Sequence, residues 1–299
     1  MGKNKLRKFA EMETFPNVFQ FTCRTMDDAW GTTRLASSDT SSASSNTQQA
    51  QSPSPHPMAG HWRDTFFHND HPIMLELGCG RGDYTVGLAA AHPERNYIGI
   101  DIKGARMWAG ARQAVQQGMT NVAFLRTNIE IINLFFVPCE VDEIWITFPD
   151  PQMKKATKRL TSTFFMARYA RLLRPGGRIH LKTDSPFLYT YTRAMIETNH
   201  LPLLADTDDL YGNAQYTMHH TPLTEATMLQ THYERQWLDR GMTIKYICWQ
   251  LDDTQCEDDA LGDDAARVVI HNAHCAWKEP DIEIEHDTYR SYGRNYETN

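Results

Sequence analysis

The segment E-L-G-C-G-R-G at residues 76–82 combines residue types and a spacing that could bind a ligand. It follows an apolar run and precedes a helix-forming stretch, and glycines at such a turn let the backbone approach a ligand closely. A dinucleotide-binding fingerprint would read G-x-G-x-x-G or A, whereas these glycines alternate and Asp83 fills the last position. The loop therefore predicts a nucleotide-like ligand other than NAD.

With Glu76 before the glycines, the E-x-G-x-G-x-G arrangement resembles the first motif of class I methyltransferases that use S-adenosylmethionine. In that family the loop accepts the amino-acid and sulfonium end of the cofactor. Asp101 ends the next apolar run, where a carboxylate can accept both ribose hydroxyls. The alternative for the loop and its acid is ordinary turn chemistry in an α/β fold. Asn128 follows a third run, where it could contact the adenine or cap the next helix.

The tetrapeptide F-P-D-P at residues 148–151 ends a fourth apolar run. In a doubly wound fold this strand neighbours the first one and faces the ligand crevice. Two prolines restrict the backbone around Asp150, and a residue before a proline prefers an extended conformation. We therefore expect the Asp150 carboxylate to be held in one fixed direction. Asp150 is therefore a candidate for substrate contact, and a solvated aspartate in a strand-ending turn is the alternative.

F-P-D-P followed by the basic run K-K-A-T-K-R at residues 154–159 resembles the tRNA (guanine-N7-)-methyltransferases of the bacterial TrmB family. Further matches are G-I-D at 99–101, R-P-G-G at 174–177, T-D at 183–184, T-H-Y-E at 231–234 and R-G at 240–241. Three positions depart from the family pattern: Q-M-K replaces W-H-K after F-P-D-P, T-H-Y-E replaces T-K-F-E, and Asn128 replaces an aspartate. The resemblance covers most of the chain.

This resemblance implies a Rossmann-like class I methyltransferase fold, with a mostly parallel seven-stranded sheet and helices on both faces. The implied reaction moves a methyl group from S-adenosyl-L-methionine to N7 of a guanosine in tRNA, at position 46 of the variable loop. Independently of the resemblance, the six cysteines lack a C-x-x-C pair and regular spacing, which fits a reducing cytoplasm. The cofactor-binding residues it implies are Glu76, Gly78, Gly80, Asp101, Asn128 and Asp150, the last also catalytic. The substrate-binding residues it implies are Lys154, Asp184, Thr231, His232, Tyr233 and Glu234. Without the family, residues 231–234 would be interpreted as a polar loop.

The reaction chemistry agrees with this set of residues. Guanine N7 carries a free lone pair, so methylation at that atom needs no general base. The protein must hold N7 about 3 Å from the methyl carbon and in line with it. Asp150 or Asp184 can accept hydrogen bonds from guanine N1–H and the exocyclic amine, and can favour the positive charge that grows on the purine.

The formal net charge of −7 is unevenly distributed, because residues 251–299 have a net charge of −9 and the rest of the chain +2. Residues 151–183 contain nine Lys or Arg and no acid, which predicts a docking site for an anionic partner. Here Lys155, Lys158 and Arg159 are expected to neutralise tRNA phosphates, the alternative being a solvated helix face. A second candidate for that surface is the N-terminal cluster of Lys3, Lys5, Arg7 and Lys8.

From residue 71 onward short apolar runs alternate with helical stretches, as in a parallel sheet with crossover helices. The predicted strands are residues 73–77, 96–101, 122–126, 143–148 and 178–183, with a late strand within 242–251. The predicted helices are residues 84–91, 105–117, 163–173 and 187–198, with Gly118 and the P-G-G turn at 175–177 as stop signals.

Composition divides the chain into a basic N-terminal arm (1–34), a Ser/Pro-rich flexible insert (35–58), a methyltransferase domain (59–251) and an acidic C-terminal extension (252–299). No apolar run is long enough to cross a bilayer, so we expect no membrane contact. The histidines and cysteines lack the spacing of a zinc site, so we expect no metal. Two alternatives remain: a class I methyltransferase acting on another RNA or a small molecule, and a non-catalytic RNA-binding module.

Overall fold

A single mixed sheet organises the chain, whose computed structural model describes residues 2–21, 55–212, 222–251 and 277–281. Its strands within these ranges are β1 (Val18–Gln20), β2 (Ile73–Leu77), β3 (Asn96–Ile100), β4 (Val122–Arg126), β5 (Val141–Thr147), β6 (Leu173–Thr183), β7 (Leu203–Thr207) and β8 (Lys245–Gln250). They lie in the order β1-β4-β3-β2-β5-β6-β8-β7. The first six strands of this order pair in parallel, and β8 runs antiparallel to β6 and β7.

The centre of the sheet is covered on both faces. Every residue of β2, β3 and β5 is buried, as expected for parallel strands between two helical layers. From β2 the chain crosses to β3 and β4 on one side and then to β5 and β6 on the other. The strand order therefore reverses between β2 and β5, and ligands of such folds bind beyond the carboxyl ends of the strands at this point.

Helices form a layer on each side of the sheet. They are α1 (Gly2–Met12), α2 (Asp83–Ala91), α3 (Gly104–Gln116), α4 (Thr163–Leu172), α5 (Pro186–Thr198), α6 (Pro222–Met228) and α7 (His232–Leu238), with shorter helical turns at Trp62–Phe67, Ile129–Leu134 and Ala156–Lys158. One hydrophobic cluster joins α4 and α5 to the sheet, and a second joins α2, α3, α6 and α7 to its other face. In the described residues no helix is long and apolar enough to span a membrane.

The predicted Rossmann-like fold is confirmed, and the described residues form eight strands where seven were predicted. The additional edge strand β1 pairs with β4 and has only three residues, too few for a sequence pattern. Strands β2 and β4 have the predicted bounds. The P-G-G turn does not precede β6 but bulges from it, because Leu173 pairs with Val141 and Arg178 already pairs with Glu143.

Part of the predicted N-terminal arm packs on the core. On α1, the Lys8 ammonium lies 4.5 Å from the centre of the Trp108 ring of α3, and the Arg126 guanidinium lies 4.4 Å from the centre of the Phe9 ring. The side chain of Lys3, and most of the predicted insert and acidic extension, lie outside the described residues. The three boundaries between the predicted segments therefore stay predictions.

Candidate active site

The glycine loop makes a sharp turn between β2 and α2. Gly78 and Gly82 have φ angles of +77° and +75°, in the left-handed region that favours glycine. Gly78 N donates to the Ile100 carbonyl at 2.8 Å, and Gly80 N donates to Asp101 Oδ2 at 2.9 Å. A side chain at Gly80 would meet nothing nearer than 3.9 Å, so the loop borders open space. The structure thus brings the predicted Gly78, Gly80 and Asp101 together.

Glu76 lies beneath this loop and is buried. Its Oε2 accepts hydrogen bonds from Thr85 N at 2.8 Å and from the Thr85 hydroxyl, and its Oε1 accepts from Thr147 Oγ1 at 2.6 Å. Burial raises the pKa of Glu76 to about 7 despite these bonds. Because Thr85 lies on α2 and Thr147 ends β5, Glu76 ties the glycine loop to the strand that carries F-P-D-P. Sequence reasoning missed both threonines, although Thr147 directly precedes that motif.

Asn128 leads into the helical turn Ile129–Leu134. Its backbone carbonyl accepts from Ile131 N at 3.2 Å, but its side chain makes no capping hydrogen bond, contrary to the capping alternative. A cavity of about 390 Å³ opens beside this turn. It is lined by Ile129, Glu130, Gln152, Lys155, Lys158, Leu160 and Phe165. Leu160 lies 3.9 Å from where a Cβ of Gly78 would be, so the cavity borders the glycine loop.

The F-P-D-P loop, residues 148–155, follows β5 and has a strained backbone. Phe148 and Gln152 have φ angles of +47° and +48°. The prediction of an extended residue before the proline is therefore wrong for Phe148, whose N–H donates to the Lys182 carbonyl at 2.8 Å. Each such residue costs about 1–3 kcal/mol and persists only where its surroundings fix it. Asp150 is exposed, and its Oδ1 accepts from Gln152 N at 3.2 Å.

Arg159 supports this loop from inside. Its guanidinium donates to the three carbonyls of residues 151–153 at 3.1, 3.1 and 3.4 Å. It also lies 4.0 Å from the centre of the Tyr191 ring and 4.8 Å from that of Phe187. Arg159 is only 3% exposed. The prediction that Arg159 neutralises a phosphate is thus corrected. Its N–H groups bind backbone carbonyls, and its guanidinium plane packs against aromatic rings of the protein.

The basic block at residues 151–183 is not one surface. Only part of it is exposed: Lys154 and Lys155 in the loop, Lys158, which pairs with Glu130, and Arg174, which pairs with Asp142. Alternation along the second half of β6 turns His180 and Lys182 toward a buried face, with Arg178 half-buried on the same side. The internal partners are the Glu130 and Phe164 carbonyls for Arg168, Glu143 for Arg178 and Glu234 for Lys182. The exposed positive charge is therefore smaller than the linear block predicts.

Residues 231–234 begin helix α7 and do not form a loop. Thr231 Oγ1 accepts from Glu234 N at 3.1 Å, and Glu234 Oε2 accepts from Thr231 N at 3.3 Å, which is a capping box. Glu234 Oε1 lies 2.8 Å from Lys182 Nζ, both side chains being fully buried, and accepts from Tyr211 OH at 2.6 Å. The two predicted substrate contacts Thr231 and Glu234 are thus used inside the protein.

Tyr233 and Asp184 remain near the loop. The Tyr233 ring is exposed, and its centre lies 5.5 Å from that of Phe148. Asp184 is buried directly after β6, whose Lys182 pairs with Thr147 at the end of β5. Burial lowers the pKa of Lys245, and the nearby Asp184 carboxylate opposes that shift. The side chain of His232 lies outside the described residues.

Sequence reasoning missed Lys182 and Tyr211. Lys182 Nζ donates to the carbonyls of Ala226 and Leu229 at 2.7 and 3.0 Å and to Tyr211 OH at 3.1 Å, in addition to its pair with Glu234. Burial lowers the pKa of Lys182 to about 8. The available signal was the R-I-H-L-K-T pattern of β6, in which every second residue is basic.

Across the described ranges no group of three or more His, Cys, Asp or Glu is arranged to hold a metal ion. The expectation that the site uses no metal stays a prediction. What the structure does bring to the switch point is a glycine loop, an acid at the next strand end and a strained proline-rich loop. This combination is typical of a nucleotide-binding doubly wound fold, and it matches what the resemblance to class I methyltransferases implies.

A sequence model and two relatives show the family of this chain. A sequence model of the family described as "Putative methyltransferase" matches residues 70–247. The tRNA (guanine-N(7)-)-methyltransferase of Porphyromonas gingivalis is 51% identical over 95% of this chain and 97% of its own length, and that of Bacteroides thetaiotaomicron is 49% identical over 99% and 96%. The crystal structure of the 16S rRNA methyltransferase KamB matches 66% of this chain and 95% of its own at 14% identity and a TM-score of 0.49. The chain belongs to the family of tRNA (guanine-N(7)-)-methyltransferases.

Proposed function

We propose that this protein transfers a methyl group from S-adenosylmethionine to N7 of a guanosine in tRNA. Relatives that carry this activity in their names are about half identical to it over almost the whole chain. The observation that carries the proposal most directly is the exposed Asp150, on a strained loop next to the glycine loop, at the point where the strand order reverses.

The residues present fit the cofactor. S-adenosylmethionine, when bound, supplies an electrophilic methyl group on a sulfonium centre. Gly78 and Gly80 offer backbone around open space, and Asp101 offers a carboxylate for ribose hydroxyls. Asn128 offers a polar contact for the adenine. Glu76, whose oxygens are bonded to threonines, acts by holding the loop in place.

Asp150 is proposed to recognise the guanine. Among the described residues its Oδ2 has no hydrogen-bond partner, so it can accept from guanine N1–H and the exocyclic amine. Its negative charge also favours the positive charge that grows on the purine. Tyr233 beside Phe148 offers an exposed ring on which a base can stack. Lys154 and Asp184 are further proposed contacts, one on the loop and one at the end of β6.

The proposed reaction requires no proton transfer by these side chains. N7 attacks with its own lone pair, so no residue has to remove a proton. The protein contributes alignment of the two reactants and favourable electrostatics. This agrees with a site in which Asp150 is exposed, whereas Glu76 and Glu234 are buried and bonded internally.

Two exposed basic regions are proposed to bind tRNA phosphates. Lys155 with Lys154 lies on the F-P-D-P loop, and Lys158 borders it. A second region lies on α1 and α3, where the packing of the two helices gathers basic residues from distant parts of the sequence. Its exposed members are Lys5, Arg7, Lys103, Arg106 and Arg112. Such contacts give salt-dependent affinity and orient the RNA without reading its bases.

The test is methylation of an unmodified tRNA transcript with radiolabelled S-adenosylmethionine, followed by borohydride and aniline cleavage, which cuts at N7-methylguanosine. We expect one cut, in the variable loop at position 46. Asp150→Ala should lower the rate at least about 100-fold. The control Asp70→Ala, an exposed aspartate just before β2, should keep the rate.

Other outcomes would overturn the proposal in distinct ways. Label uptake without a cut would mean that another atom is methylated. No uptake with tRNA would favour a methyltransferase of small molecules, and no binding of the cofactor in a calorimetric titration would favour a non-catalytic RNA-binding module. An Asp150→Ala variant with the wild-type rate would remove that residue from the mechanism.

A further inference from the structure

A short C-terminal segment, residues 277–281, docks on the helical layer formed by α4 and α5. Asn199 Nδ2 donates to the Lys278 carbonyl at 2.9 Å, and Lys278 N donates to Asn199 Oδ1 at 2.8 Å. Trp277 packs against the hydrophobic cluster on this face, and Pro280 is buried. The segment lies beyond residues 70–247, which the family model covers. It belongs to the acidic extension for which the sequence predicts no role.

Glu279 connects this segment to Arg159. Its Oε2 accepts from Thr163 Oγ1 at 2.7 Å, and its Oε1 accepts from the Tyr191 hydroxyl and lies 4.0 Å from Arg159 Nη1. The Tyr191 ring is also the face on which the Arg159 guanidinium rests, 4.0 Å from its centre. Glu279 therefore contacts Arg159 both directly and through Tyr191.

Arg159 needs such a partner because it is a buried cation. A buried charge without a countercharge is strongly destabilised, and in the described residues Glu279 is the carboxylate paired with Arg159. The donors of Arg159 are directed at the carbonyls of residues 151–153. These residues belong to the F-P-D-P loop, in which Phe148 and Gln152 have left-handed backbone conformations. A strained backbone of this kind keeps its conformation only while its surroundings hold it.

We propose that Glu279 is a positioning residue, through which the C-terminal segment fixes Arg159 and thereby the F-P-D-P loop that carries Asp150. Loss of the Glu279 charge leaves Arg159 without its countercharge and loosens its hold on the three carbonyls. The loop then samples conformations in which Asp150 is displaced. The activity readout of this inference rests on the proposed function, whereas the loop readout does not.

The test compares Glu279→Gln with Asp281→Asn in the full chain. Both substitutions remove one negative charge from the same exposed segment, but only Glu279 contacts Thr163, Tyr191 and Arg159. We expect Glu279→Gln to lower kcat for tRNA methylation about tenfold, since small misplacements of a reacting group are costly, and to leave the Kd for S-adenosylmethionine within about twofold. Asp281→Asn should change neither.

Limited trypsin digestion measures the loop without any substrate. The exposed Lys154 and Lys155 are cleavage sites within the loop, and cleavage there depends on local opening. We expect cleavage after these lysines to be several-fold faster in Glu279→Gln and unchanged in Asp281→Asn. If the wild-type protein failed to methylate N7 of guanosine, the proposed function would be wrong. The digestion would still test whether Glu279 holds the F-P-D-P loop in place.

A double-variant experiment tests the route through Arg159. Arg159→Lys keeps the charge and removes the planar fork that reaches three carbonyls. In that background Glu279→Gln should cause no further loss of kcat. Independent, multiplying losses would mean that Glu279 acts by another route. Wild-type kcat and digestion in Glu279→Gln, or a kcat loss matched by an equal loss of cofactor affinity, would overturn the proposal.

Discussion

The cofactor side of the site and its substrate side differ in where their contacts come from. Around the glycine loop most partners lie close in sequence: Gly80 and Asp101 are 21 positions apart and Glu76 and Thr85 are 9 apart, while Thr147, 71 positions from Glu76, is the distant one. Around F-P-D-P and α7 they are distant: the Lys182 ammonium binds a carbonyl 44 positions away, and Tyr191 binds a carboxylate 88 positions away.

This difference explains what each side requires in order to form. A glycine loop and the acid at the next strand end follow from one βαβ unit, which folds from neighbouring segments. The substrate side depends on buried charges that pair only after β6, α7 and the C-terminal segment have met. We therefore expect substitutions on the substrate side to affect stability or alignment, and those on the cofactor side to affect ligand affinity.

The largest expected effect is that of Lys182→Met. It leaves the Glu234 carboxylate fully buried without its countercharge, which should lower the free energy of unfolding by about 3–5 kcal/mol. Urea unfolding followed by circular dichroism measures this. The double variant Lys182→Met, Glu234→Leu removes both charges and should recover most of the loss. A single variant as stable as the wild type would mean that the pair does not hold α7.

A pH dependence of stability is expected from Glu76. Burial raises its pKa from 4.5 to about 7, so the folded protein binds this proton more tightly than the unfolded chain does. The resulting stabilisation is complete below the unfolded pKa and is lost as the pH rises through about 7. Relative to Glu76→Gln, the wild type should lose about 3 kcal/mol between pH 5 and pH 8. Parallel pH profiles of the two proteins in urea unfolding would contradict this.

Asp101→Ala should weaken cofactor binding without unfolding the protein. Asp101 is partly exposed and accepts from the backbone of Gly80 and Lys103, so its loss removes the proposed ribose contact and one restraint on the loop. We expect a Kd for S-adenosylmethionine about 10- to 100-fold higher in calorimetry, since hydrogen bonds to a charged group are worth about 1.5–3 kcal/mol. Asp70→Ala serves as the control. An unchanged Kd would mean that Asp101 does not bind the ribose of the cofactor.

The smallest expected effect is that of removing Lys154 and Lys155. Their replacement by Ala should weaken tRNA binding and reduce the slope of log K against log salt by about 1.4–1.8, because each phosphate contact contributes about 0.7–0.9. Filter binding at several salt concentrations measures both. Lys278→Ala, an exposed lysine on the C-terminal segment, is the control. An unchanged slope in the loop variant would leave the α1 and α3 surface as the docking region.

Several predictions from sequence depended only on local pattern, and these agree with the structure. Strands β2 and β4 have the predicted bounds, and the glycine loop meets Asp101 because parallel neighbours end at the same edge of the sheet. In contrast, the burial of Arg159 and Glu234, and their pairing inside the protein, could not be predicted from sequence. Sequence gives the charge of a side chain but not the direction in which the folded backbone points it.

The sequence by itself determined the class of fold, the family and the two motifs at the switch point, because hydrophobic periodicity and short motifs are local properties. Tertiary structure alone decided which charges are exposed. Alternation along β6 turns Lys182 inward to Glu234, and packing of α4 and α5 with the C-terminal segment encloses Arg159. A charge can be buried only where a partner from elsewhere in the chain compensates its lost hydration, so pairing between distant residues set the final form of the site.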